Sequence, residues 1–362
     1  MFGKLMNRYY YGKSGKGDYT PEDLPQNRWQ LFWEMLRVRF SGLIRLNLIY
    51  MLIWLPTIIV LALSLLTAVN MLNLAYGTDE ETEVVETVST EEAAATATEA
   101  AALETATEAA AVEAAAETVA ASETATEAAT TITPENLLEA LQSLLFSTLL
   151  FLFPCIAITG PFTAGVTYVT RNWARDEHAF VWSDFKDALK ANWKYGLLTS
   201  AITGILPPVV YYYIFLCSQL AANSFFFYIP MMMMIILLLV WSMMLIFLYP
   251  QMVTYDLKYK GLLKNSVIMA IGRLPMAFGL RLLSFVPTLI AVVLFFLTSS
   301  LLCPLILGLY YILLGYALSR FVGVSYVNGV LDKYINSHIE GAEVNRGLAP
   351  EEEEDDLPLD EN

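Results

Sequence analysis

Apolar runs of roughly 20 residues or more recur along the chain, and the cationic residues fall only between them or at one end of each. Lipid offers backbone N–H and C=O groups no partner. A chain built of such runs must therefore satisfy its hydrogen bonds within helices. Only 16% of the 362 residues are charged, against about 25% in soluble domains. The pattern predicts an all-α polytopic membrane protein, a six-helix bundle with short interfacial helices and an extracytoplasmic insert. The spans are expected near 46–72, 141–169, 195–219, 225–249, 276–299 and 305–323. No Lys or Arg occurs from Leu46 to Thr170. Six spans put every basic loop, and both termini, on one side. By the positive-inside rule that side is the cytoplasm, and the expected location is the plasma membrane.

The chain divides by composition. Residues 1–45 form a polar leader followed by an amphipathic stretch, in which Trp29, Trp33, Leu36 and Phe40 alternate with Arg28, Arg37 and Arg39. This predicts a helix lying at the inner surface. The leader reads against a cleavable signal peptide, and its GKSGKG lacks the spacing of a phosphate loop. The first span lies within 46–77. Residues 78–132 are acidic and low in complexity, with TATEAA at Thr96, Thr105 and Thr124. They read as a disordered extracytoplasmic insert. Spans two to six and two basic loops occupy 133–323. Residues 324–362 are expected to form an interfacial helix and an acidic tail. The net charge of -15 arises in the insert and the tail, and no charged field points to nucleic acid.

The loop after the second span carries the first candidate site. Lys186, Lys190 and Lys194 recur every four residues, beside a stripe of Phe185, Leu189 and Trp193. Such a helix can lie against lipid headgroups or dock a cytosolic partner. Thr159, Thr163 and Thr167 share one face of the second span and could line a polar path, although Thr hydroxyls in helices commonly bond their own backbone. Pro207 and Pro208 remove two backbone donors from the third span and are expected to break or bend it. Gly160 and Ala164 permit close helix approach. Asn47 is expected to bond a neighbouring helix, and Arg281 to reach the headgroups. Residues 251–275 echo the earlier basic loop, as a weak internal repeat.

Catalytic residues, cofactor sites and metal sites are not found. No Asp, Glu, Lys or His falls mid-span, and no HExxH or GxSxG occurs. Cys155, Cys217 and Cys303 read as small apolar residues rather than disulfide partners. The expected partners are the lipid bilayer and transporter subunits.

LNLIYMLIWLP in the first span, TGPFTAGVTYVTRNWARDEHAFVWSDFKDALKANWK across the second span and loop, and SYVNGVLDKYI near the end resemble the YesL-like membrane proteins. These form a domain-of-unknown-function family of Gram-positive bacteria. Its members are often encoded beside carbohydrate-uptake transporters and polysaccharide-degrading enzymes. The resemblance implies a non-enzymatic role accessory to carbohydrate uptake or its regulation. The alternative is a transporter or permease subunit in its own right. The family supplies no catalytic residues to carry over.

Overall fold

The computed structural model describes residues 24–76, 134, 136–221, 224–300 and 302–349. The expectations for the leader, the 78–132 insert and the acidic tail after 350 lie outside the described residues. All regular structure among the described residues is helical. Helix α1 spans Arg28–Tyr76, α2 Leu137–Ala174, α3 Ser183–Ala221, α4 Tyr228–Thr254, α5 Tyr259–Gly272 and α6 Leu274–Thr298. The last run comprises α7 Leu302–Tyr310, a π-helical turn Tyr311–Gly315 and α8 Tyr316–Tyr334. Among the described residues, six helical stretches are long and apolar enough to cross a membrane. Large apolar side chains stay exposed along them, among them Leu52, Leu65, Ile290 and Phe296. In water such a surface would drive aggregation; in lipid it is the solvated face.

The chain forms two compact units. One takes the described residues to Pro56 and from Phe153 onward, the other those within Thr57–Leu152. In the smaller unit the Thr148 hydroxyl donates to that of Ser64 at 2.8 Å. The larger unit holds two apolar clusters. The first joins Leu43, Leu46 and Tyr50 of α1 to Val166 and Trp173 of α2, Phe185 of α3 and Phe321 of α8. The second joins Phe247 and Leu248 of α4 to Leu262 of α5, Ala277 of α6 and Val327 and Leu331 of α8.

The helices run longer than the apolar runs alone predict. The amphipathic stretch after Arg28 is continuous with the first span, and the lysine-bearing stretch after Ser183 with the third. Neither forms a separate surface helix, because no proline or turn sequence separates it from the span that follows. The same holds for SYVNGVLDKYI, whose residues continue α8. Residues 259–272 do form a separate short helix: α5 stops at Gly272, and Pro275 sits in the first turn of α6. The two basic loops are therefore built differently, and the echo between them is not a structural repeat.

Pro207 and Pro208 do not break α3, which is helical throughout Ser183–Ala221. Neighbours hold the turn before them. Ser200 donates to the Ala157 carbonyl of α2, and the Trp241 indole of α4 donates to the Thr203 hydroxyl at 3.0 Å. Packing of this kind is what makes proline tolerable in membrane helices. Lower on the same face Gly160 of α2 meets Gly196 of α3 backbone to backbone. A Cβ at Gly160 would lie 2.0 Å from the Gly196 carbonyl oxygen. The close approach expected of Gly160 is real, and its counterpart is Gly196.

The backbone of the sixth span departs from the α-helix midway, at Tyr311–Gly315. Its π-helical turn leaves carbonyls without their ordinary i+4 donors, as such turns do. The fully buried amide of Asn47 supplies the missing partners. Its Nδ2 donates to the carbonyls of Tyr311 and Ile312, each at 2.8 Å, and its Oδ1 accepts from the Ala317 N–H at 2.8 Å. Asn47→Leu would strip partners from three backbone groups, each costing about 1–3 kcal/mol when buried. We expect a loss of at least 2 kcal/mol in unfolding from mixed micelles. Asn47→Asp keeps the acceptor and should lose less if its carboxyl is protonated.

Candidate functional site

The ends of α1, α2 and α8 are joined by one buried carboxylate. Asp332 accepts from Arg28 at 2.6 Å, from Arg175 at 3.1 Å and from the Asn336 amide at 2.5 Å. Arg175 also donates to Glu177 at 2.9 Å and to the Glu343 carbonyl at 2.9 Å. Asp332 and Arg175 are both almost fully buried. Gly347 lies over Arg175 at φ +83, a conformation that disfavours any side chain, and a Cβ there would sit 3.1 Å from the Arg175 carbonyl. Nearby, just after α4, burial pushes the Tyr255 phenol up to about 12, so it remains protonated and donates to Asn336 at 2.7 Å. Every acceptor here is filled by this chain's own donors. The cluster acts as a fastening between the helix ends.

A cavity of about 310 Å³ between α4, α6 and the sixth span is different. Arg281 and Ser284 of α6 line it, with Tyr310 of α7 and Tyr316, Ser319 and Arg320 of α8. The Ser319 hydroxyl donates to that of Ser284 at 2.8 Å. Arg320 donates through two nitrogens to the Tyr316 hydroxyl, at 3.1 and 2.9 Å, and lies 5.1 and 5.3 Å from the ring centres of Tyr249 and Tyr316. Tyr316 in turn stacks on Tyr50, with ring centres 4.0 Å apart, and accepts from the Tyr50 hydroxyl at 2.8 Å. Tyr50 reaches Thr163 of α2 at 2.7 Å. A polar chain therefore runs from α2 through α1 to the cavity wall. Arg281 bonds the Ser242 carbonyl of α4, while its buried Nε has no acceptor among the described residues. No carboxylate pairs with either arginine among the described residues.

The residues singled out by sequence go elsewhere. Thr159, Thr163 and Thr167 are buried and donate to the carbonyls of Ile156, Thr159 and Thr163 of their own helix, at 2.8, 2.9 and 2.7 Å. None lines the arginine cavity, and neither do Pro207 and Pro208. The three threonine hydroxyls bond their own backbone, and Thr163 also meets the Tyr50 hydroxyl. Lys186, Lys190 and Lys194 are exposed along one side of α3. Phe185 of the neighbouring stripe is buried, but Trp193 is 49% exposed, with the Lys194 ammonium 5.6 Å from its ring centre. All three cysteines are free. No metal-ligating cluster occurs among the described residues.

Residues 140–213 match the family model described as "Protein of unknown function, DUF624". That is the YesL-like family, so the resemblance holds over those residues. No curated protein and no solved structure matches the chain. The DUF624 stretch contains the threonine row, Arg175, the exposed lysines and the proline pair. Arg281, Arg320 and Asp332 lie beyond it. In the sequence Arg281 and Arg320 stand 39 positions apart in two different apolar runs, with no pattern that links them. Their pairing needs the fold of the last two spans. The fastening was equally hidden: Arg28, Arg175 and Asp332 are distant in sequence. Asp332→Asn leaves two guanidinium groups with a weakened partner. Breaking a buried pair costs about 3–5 kcal/mol. The variant should melt well below wild type in detergent, and Asp332→Glu should recover part of the loss.

Proposed function

We propose that this is a non-enzymatic plasma-membrane protein accessory to carbohydrate uptake or its regulation, with both termini in the cytoplasm. The family likeness supplies the sugar-uptake context. The observation that carries the docking part is the exposed row Lys186, Lys190 and Lys194 with the bare Trp193 beside it. Three ammonium groups on one side of a helix suit an acidic surface on a transporter subunit, and an exposed indole supplies the apolar anchor such contacts favour. The lysines stand at the cationic end of α3, which by the positive-inside rule faces the cytoplasm.

Charge reversal tests the docking face. In the triple variant Lys186→Glu, Lys190→Glu, Lys194→Glu, co-purification of sugar-transporter subunits should fall at least 10-fold, with the melting temperature unchanged. Undiminished recovery would rule out this face. Orientation is tested separately. A cysteine replacing Lys260 in α5 should resist a membrane-impermeant maleimide in intact cells and react once the cells are opened. Labelling from outside would reverse the topology.

A further inference from the structure

We infer that the cavity between α4, α6 and the sixth span holds the phosphate of an anionic phospholipid, gripped between Arg281 and Arg320. Arg281 and Arg320 both line one space of about 310 Å³, and no carboxylate pairs with either among the described residues. A charge at membrane depth costs about 2.5–3.5 kcal/mol even on the most lenient insertion scale. Contacts with the Tyr249 and Tyr316 rings offset part of that for Arg320, but they add no negative charge. Arg281 has less: one backbone carbonyl, and a buried Nε without an acceptor. The missing component is an anion with several acceptor oxygens. A phosphate meets that need and suits two guanidinium forks at once. Tyr310 also lines the wall, while the Ser284 and Ser319 protons go to the Leu280 carbonyl and to Ser284.

The shape of the site selects a lipid over a free anion. Leu283 and Val286 line the cavity and are also 53% and 38% exposed, so it opens sideways onto the apolar flank of α6. Leu282, Leu289 and Ile290 continue that exposed flank and give acyl chains a track. Depth agrees. The 25 residues of α6 span about 38 Å against about 30 Å of hydrocarbon, and Arg281 lies about 10 Å from the helix start. An arginine side chain reaches from there to the level of lipid phosphates. Basic pockets between spans at the cytoplasmic side are suited to anionic headgroups.

The test is native mass spectrometry of the full-length protein in detergent, with phosphatidylglycerol, phosphatidylcholine or inorganic phosphate added. Wild type should retain phosphatidylglycerol at least 10-fold better than phosphatidylcholine. Arg281→Gln should lose that preference, Arg281→Lys should keep most of it, and Lys264→Gln, exposed on α5 outside the cavity, should leave it intact. Arg320→Gln should lose it too. Because Arg320 also braces Tyr249 and Tyr316, its melting curve is read alongside, and Arg281→Gln decides if Arg320→Gln fails to fold. Equal retention by wild type and Arg281→Gln would overturn the inference. So would equal retention of the two lipids. Displacement of phosphatidylglycerol by millimolar inorganic phosphate would assign the site to a soluble phosphate instead.

Discussion

A peptide carbonyl that loses its helical partner inside a membrane has no water to fall back on. The amide of Asn47 resolves that problem for the sixth span, and much of the larger unit follows from how it does so. One side chain on α1 takes over three backbone positions around Tyr311–Gly315. This pins α1 to the turn where α7 gives way to α8. Three residues further along α1, Tyr50 stacks on Tyr316 and bonds Thr163 of α2. The register of three spans is thereby set by polar contacts. Lipid-facing leucines cannot set it, because acyl chains pack against them equally well in any register.

The second fastening lies near the helix ends, where Arg28, Arg175 and Asp332 converge. Arg175 comes from RNWARDE, inside the DUF624 match, and Asp332 from SYVNGVLDKYI, beyond it. Stretches far apart in the chain meet because a single buried carboxylate needs both arginines and each arginine needs the carboxylate. Removing one partner would leave an uncompensated buried charge.

Span number and helical class were legible because they rest on run length and on the exclusion of charge from lipid. The small-residue contact was half legible. Gly160 advertised a close approach, but Gly196 sits where nothing in the local pattern marks it as the counterpart. A change from polar to apolar residues does not mark a helix end. Arg28 to Tyr76 and Ser183 to Ala221 each run through such a change, since the helix responds to breakers rather than to hydropathy. The proline pair does not interrupt α3. A breaker in an isolated helix is held in place here by bonds from Ser200 and to Thr203. The arginine cavity was invisible for a different reason. An arginine near a span end looks the same in sequence whether it reaches for headgroups or turns inward, and only the packing of α6 against α8 decides.

The unbroken course of α3 has a mechanical corollary. Its 39 residues make a rod of about 58 Å, longer than the hydrocarbon layer is thick. Near one end it carries the exposed lysines, and by Gly196 it rests directly on the backbone of α2. A load placed on the lysines meets no joint before the contact at Gly160. Any tilt it produced there would swing the far end, near Ala221, in the opposite direction, as a beam turns on its bearing.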